Sequence, residues 1–510
     1  MTACAPTPRH RGLASNRPVR TDRSRGAWQY APRTLKAGWS GLLLLPLLLM
    51  LALASAPPAH GESLPELGEA SGGVLTPAEE RELGRSLLRE VRRTLPVVKD
   101  PEITFYIDAL GRQLLANTPD ADGPFYFIPI DDRQVNAFAM PGGLIGIHSG
   151  LMLETRDEAE LAAVIAHEIA HVTQRHLARM FARGRELNFR TGLAILAGVL
   201  ASAVDPQLGS AVIAGGVAGG IQSQINFTRS NEAEADNTGM RILADAGFDP
   251  HAMADFFERM QELTRGIGDQ IPEYLRTHPV TLDRITDARA RADRLPEGAR
   301  ERGPEFRWMQ ARMRALQDPR RTLEIFRGQV EPAAHHLYGA AVAHLERGEA
   351  GAAHDLLERI DTGAAPGLTY ELAQVAVHRE RDEHPAALGI LEDLDAVYPG
   401  HPVVRELLAR VHRDLGNRDR AVRIVADLIR HETAPKPELL RLKADIADAA
   451  GQRAISREAM AEYFFHRGQY QEAVRQFDAA LEANDANERD LQRIRDKRDT
   501  ARETAHAHTR

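Results

Sequence analysis

A single cysteine, Cys4, is all the thiol that 510 residues offer. One thiol forms no intrachain disulfide, so the fold depends on its core, and cysteine usage says nothing about redox compartment. Cys4 precedes the apolar run Gly41 to Leu53 instead of following it, which excludes it as a lipid-bearing residue after an export signal. Aromatic residues are scarce at 5%, too few for a base-stacking platform. Positive charge is short as well. The formal net charge is −8, and residues 1–56 carry eight basic side chains against Asp22, a balance of +7 that leaves −15 on the remainder. An acidic chain repels a phosphate backbone, so nucleic acid is excluded as a partner. No uninterrupted apolar run reaches the about 20 residues that a transmembrane helix needs. What remains is 43% hydrophobic and 27% charged, a balance that builds cores, over a length that favours several domains.

Residues 1–56 read as an export signal. Arg9 to Lys36 is basic and rich in proline, Gly41 to Leu53 is leucine-rich, and Ala54-Ser55-Ala56 is a small-residue cleavage motif. An uncleaved membrane anchor is the rival reading. Residues 57–75 form a linker of Pro, Gly and Glu. Thr76-Pro77-Ala78-Glu79-Glu80 starts a helix with a threonine cap, a proline at the first position and acids behind it. A second helix is expected over Pro101 to Ala116, and Phe125 to Ile130 and Leu144 to His148 are strand candidates around Pro141-Gly142-Gly143.

The densest chemistry lies in Ala162 to Val172. Its good helix formers contain no Gly or Pro. His167 and His171 stand four apart on one helical face, so both imidazoles can reach one zinc ion. Glu168 follows the first histidine and can serve as general base toward a water at that ion. Thr155 and Glu158 suit a capping box, with Asp157, Glu158 and Glu160 loading the first turn. Zinc needs another ligand. Thr228 to Asp236 opens a further helical pattern that runs to a stop at Gly247. Glu232 and Asp236 again share a face, which suits a carboxylate ligand and an aspartate that orients a ligating histidine. Acids near a helix start also complement its dipole without any metal.

The runs His167-Glu168-Ile169-Ala170-His171-Val172-Thr173-Gln174-Arg175-His176 and Arg229-Ser230-Asn231-Glu232-Ala233-Glu234-Ala235-Asp236 together resemble the M48 family of zinc metallopeptidases, over roughly residues 75 to 295. Thr228, where the family usually has serine, is a conservative departure. The resemblance implies a gluzincin with His167, His171 and Glu232 on Zn²⁺, one ion per chain. It extends to Val135 to Gly143, which leads into an active-site edge strand, and to Thr277-His278-Pro279 with Arg284. Asn136, Ala137, Phe138, Gly142 and Gly143 are therefore candidates for substrate binding, since a free strand edge pairs with any extended peptide; an ordinary meander strand is the plainer reading. Arg284 or His278 is a candidate to stabilise an oxyanion. His278 is alternatively a further zinc ligand that closes the open position, or a histidine bonded only to nearby backbone. His176 lies too close to His171 for a third ligand.

Thr191 to Gln224 is apolar and broken by Asp205-Pro206. A buried hairpin near the active site, a peripheral membrane contact and a mobile cover over the zinc all fit it. Beyond Arg300 the chain turns to helix formers. Ala353, Ala387 and Ala421 recur at a spacing of 34, with Gly348 and Gly416 five residues ahead of their alanines. Gly468 to Ala473 best fits a tetratricopeptide repeat, out of phase with the others, so an irregular insertion is expected near 430–455. Another kind of helical solenoid is the alternative. The tail from Asn484 is charged, with a disordered end expected.

These readings give an α+β, mainly helical chain: a gluzincin-type domain over 76–300, then an all-α tetratricopeptide-like solenoid over 305–500 that needs no contact with the catalytic core. The resemblance, with the helical C-terminal part, implies an exported, periplasmic zinc endopeptidase and chaperone. Its implied substrates are polypeptides among misassembled outer-membrane proteins, and its repeats would engage the barrel-assembly machinery. A scaffold with latent proteolysis and a membrane-anchored protease remain as alternatives.

Overall fold

The computed structural model describes residues 76–119, 121–183, 229–266, 272–361, 363 and 365–508. The expected export signal, the 57–75 linker and the 191–224 apolar segment lie outside the described residues. Among the described residues no helix is long and apolar enough to cross a membrane.

Helix α1 (Pro77–Thr94) starts at the predicted cap. Thr76 Oγ1 accepts from the Glu79 N–H and Glu79 accepts from the Thr76 N–H. Its face of Leu83, Leu87, Leu88 and Val91 packs on Tyr126, Ile130, Met140 and Leu144 of a small sheet. Helix α2 (Pro101–Leu115) is capped by Asp100 and buries Ile103, Ile107, Leu110 and Leu114, the three-and-four spacing of one helical face. The sheet has three strands in the order β1 (Tyr126–Ile130), β3 (Leu144–His148), β2 (Ala137–Met140). β1 runs parallel to β3 and β2 antiparallel to it, so β2 is an edge. Gly142 and Gly143 turn the β2–β3 hairpin at φ +78° and +82°, a region that favours glycine. A Cβ on Gly142 would also come within 2.5 Å of the Glu80 carbonyl on α1.

After α3 (Ser149–Glu154), helix α4 (Glu158–Thr173) runs through the core with every residue from Glu158 to His171 buried. Its cap corrects the predicted capping box. Asp157 accepts from the Glu160 N–H at 2.9 Å, while the Thr155 hydroxyl is committed to the Met152 carbonyl that ends α3. Glu158 instead accepts from Tyr106 and from the Arg302 N–H. Helix α5 (His176–Arg183) follows, then α6 (Arg229–Asp245), α7 (His251–Gly266), α8 (Glu273–Thr277) and α9 (Leu282–Ala292).

The solenoid does not stand apart, contrary to the expectation above. One buried cluster runs continuously from Ile103 on α2 to Val377. Helix α10 (Glu305–Gln317) contributes Phe306, Trp308 and Met309 to it, and Gln310 donates to the Met152 and Thr155 carbonyls. Arg312 reaches back to Asp100 at 2.7 Å and Glu102 at 2.9 Å. Farther along the chain, Arg89 on α1 donates to the Tyr470 hydroxyl and Arg92 to the Pro435 and Ala434 carbonyls.

After α11 (Pro319–Arg327), paired helices follow: α12 (Ala334–Leu345) with α13 (Ala350–Leu357), α14 (Gly367–Glu380) with α15 (His384–Val397), and α16 (Pro402–Asp414) with α17 (Arg418–His431). Ala353, Ala387 and Ala421 are fully buried in the second helix of each pair, as the repeat requires. The three pair turns share a positive φ, at Gly348, Asp382 and Gly416. Asp382 fills the glycine position because a short polar side chain tolerates the left-handed region.

The irregular insertion is absent. Residues 437–449 form the regular helix α18 (Pro437–Ala449), followed by α19 (Arg453–His466) and α20 (Tyr470–Leu481). Tight turns at Gly451 and Gly468 flank α19 on both sides, and this doubled turn produces the shift in phase. The tail also folds, as α21 (Glu488–His508), with Ile494 and Ala501 buried.

Glu458 on α19 fastens this last helix. It is 1% exposed and accepts from Arg493 Nε and Nη2 at 2.8 and 2.7 Å and from Lys497 at 2.8 Å. Burial pushes its carboxyl up, but Arg493 and Lys497 outweigh this and bring it down to about 2. A folded value below the unfolded one stabilises the protein above the ordinary value of 4.5, and that stability is lost as pH falls toward about 2. Glu458→Gln should cost about 1.5–3 kcal/mol at neutral pH. Thermal melts should show the gap to the unsubstituted protein closing on acidification; a gap independent of pH would assign the effect to packing.

Candidate metal centre

His167 and His171 project from one face of α4, Glu232 from the first turns of α6, and His278 from the residue after α8. All four are at most 2% exposed. One donor atom from each lies within 4.8 Å of the others. His167 and His171 Nε2 are 3.0 Å apart, and the Glu232 oxygens stand 3.4 Å from His171 Nε2 and 3.6 Å from His167 Nε2. His278 Nδ1 is 3.2 Å from both Glu232 oxygens and 3.4 Å from His167 Nε2. Four donors held tetrahedrally at about 2.0–2.1 Å from one zinc stand about 3.3 Å apart. The spacing and the histidine and carboxylate donors therefore fit that ion.

The shell behind the donors is charged. His167 Nδ1 lies 3.0 Å from Asp236. Arg284 grips Asp236 through Nε and Nη2, each at 2.8 Å. Its Nη1 lies 2.9 Å from Glu232 and donates to the Pro279 carbonyl at 2.8 Å, and its guanidinium lies over the Phe257 ring. Burial pushes the Glu232 carboxyl up, yet His278, His167 and His171 hold it well below the carboxylate range. Burial pulls His167 down, but Asp236 and Glu232 outweigh it and raise the imidazole to about 10. The two carboxylates thus make this a place for positive charge. His171 is pushed well below its ordinary value, chiefly by burial.

Glu168 is fully buried, and neither oxygen makes a hydrogen bond of ordinary geometry. His278 Nε2 stands 3.5 Å away, and the Ala139 N–H of β2 faces the carboxylate. Burial raises its pKa against the pull of His278 and His167. A buried, weakly partnered carboxylate at a strand edge is suited to taking a proton.

Comparison with known proteins matches residues 105–292 to peptidase family M48 and residues 378–446 to a tetratricopeptide repeat. A Vibrio cholerae relative is 46% identical over 233 residues, 46% of this chain and 48% of its own. The beta-barrel assembly-enhancing protease of Yersinia pestis is 40% identical over 232 residues, 46% of this chain and 48% of the relative. That of Escherichia coli K12 is 33% identical over 340 residues, 65% of this chain and 69% of the relative. This chain belongs to peptidase family M48. It spans about half the length of the first two relatives.

The remaining expected site residues have the following surroundings. All three nitrogens of Arg284 face Asp236, Glu232 or the Pro279 carbonyl, so it braces the carboxylates. Gly142 and Gly143 serve packing, since a Cβ on the latter would meet the Pro124 carbonyl at 2.0 Å. The Asn136 carbonyl is taken by the His148 N–H, Ala137 is buried, and the half-buried Phe138 ring covers Gly146. It is Ala139, not singled out from sequence, whose N–H meets Glu168. Tyr274 was also unforeseen; it is fully buried, its hydroxyl lacks a hydrogen-bond partner, and its ring lies 5.0 Å from that of His278. In the sequence, only its place four residues before His278 pointed to it.

Proposed function

We propose that this M48 chain is a zinc-dependent endopeptidase of the bacterial envelope, acting in the periplasm on misassembled outer-membrane polypeptides. The observation that carries the proposal is the buried Glu168 carboxylate between the four-donor cluster and the edge strand β2. His167, His171 and Glu232 would hold the ion, with Asp236 and Arg284 fixing the donors. Zinc, when bound, supplies Lewis-acid polarisation and lowers the pKa of a water. An extended peptide adds to the β2 edge by main-chain hydrogen bonds, which orients a scissile carbonyl without selecting side chains. Glu168 accepts the proton of the attacking water and returns it to the leaving amine. The names of the Yersinia and Escherichia relatives support a role in barrel assembly, and the repeats supply a surface for polypeptide or for the assembly machinery.

A second reading, a chaperone or scaffold with latent proteolysis, is favoured by one observation. His278 Nδ1 stands as near Glu232 and His167 as the other donors stand to each other, so as a fourth ligand it would close the position a substrate carbonyl needs.

Glu168→Gln should keep zinc and lose about 10²–10⁴-fold in peptide hydrolysis, checked by metal analysis beside casein cleavage; unchanged turnover would refute the general-base assignment. His278→Ala separates the two readings. Basal or self-cleavage rises if the histidine blocks the site, and turnover falls at constant zinc content if it stabilises the oxyanion. Equal activity would dismiss both roles.

A further inference from the structure

His176 was set aside as a ligand, yet it is completely buried beside the metal centre. Arg175 brings it there. That residue adopts φ +50°, one of two non-glycine residues with positive φ among those described, a conformation that costs of order 1 kcal/mol or more and persists only where surroundings enforce it. The turn ends α4 and folds the first side chain of α5 back under His171. His176 Nδ1 stands 2.8 Å from His171 Nδ1, with the rings at 74°. His176 Nε2 lies 3.2 Å from Glu234, and Arg179 donates to the same carboxylate oxygen at 2.8 Å.

We propose that His176, backed by Glu234, is the positioning residue that fixes the tautomer and ring plane of His171 toward zinc. The inference rests on the zinc reading of the site. A neutral imidazole that ligates through Nε2 carries its proton on Nδ1. His171 Nδ1–H then has His176 Nδ1 as its acceptor, which puts the His176 proton on Nε2, where Glu234 receives it. The series ends at a partly exposed Glu234–Arg179 ion pair. The two ligating histidines are therefore oriented differently: His167 by a carboxylate directly, His171 by a carboxylate acting through a second imidazole. Glu234 gains a role that its place between Glu232 and Asp236 does not suggest, because it leaves the helix on another face.

Zinc affinity of the full chain, measured by chelator competition, tests this. His176→Ala should weaken binding about 10–100-fold. His176→Gln can accept from His171 through its oxygen and donate to Glu234 through its nitrogen, and should recover most of the loss. Glu234→Gln should weaken binding several-fold. Melts of the metal-free proteins monitor folding, and if His176→Ala does not fold, Glu234→Gln decides. Affinity unchanged in His176→Ala or Glu234→Gln, or a Gln variant no better than the Ala variant, overturns the relay while tight zinc binding by the unsubstituted chain keeps the metal reading. An unsubstituted chain that binds no zinc overturns both.

Discussion

The closeness of α6 to α4 is the constraint on which the metal centre depends. Gly239 lies one turn beyond Asp236, and a Cβ there would stand 3.0 Å from the backbone N and Cα of His167. The bare backbone at that position lets the helix axes come near, with Glu232 facing both histidines and Asp236 meeting His167 from behind. Three donors and one brace are thus set by two rigid helices, while His278 and Arg284 come from the short α8–α9 region that closes over them. Sites built on helices hold their geometry better than sites on loops.

Such a concentration of buried charge would be costly without pairing. Here Arg284 answers Asp236 and Glu232 at once, and Arg259 answers Glu160 at 2.7 Å earlier on α4. The bidentate fork fixes carboxylate orientation as well as charge, which a lysine could not do. Among the described buried carboxylates Glu168 is left without a strong partner, and it is the group proposed to move a proton. The same core extends through α10 into the first repeats, so a load on the solenoid bears on the elements that carry the site, and α1 adds a second tie between the β2–β3 turn and the last repeats.

Much of this was legible in the chain. Histidines four apart and acids four apart each announce a helical face, because helical period is a local property, and alanines 34 apart announce a repeat of helix pairs. The Thr76 cap was legible for the same reason. What stayed hidden depends on contacts distant in sequence. Thr155 and Asp157 are both good caps, and only the end of α3 shows which hydroxyl is already committed. Arg284 looked free because the carboxylates it serves lie about fifty residues earlier. The phase shift near 450 looked like an insertion because a turn after every helix is invisible to a search for paired helices. The separateness of the repeats was inferred from the neighbour-to-neighbour stability of repeat arrays, which does not reveal that Trp308 and Phe306 complete the core of the domain before them.

We propose that two histidines of α4 and a carboxylate of α6 form one zinc site. Zinc K-edge X-ray absorption on the purified full chain tests it most directly. The account predicts one zinc per chain in a shell of four nitrogen and oxygen donors at about 2.0–2.1 Å, with the imidazole scattering of at least two histidines. Substoichiometric metal, or a six-oxygen shell without imidazole, would contradict it.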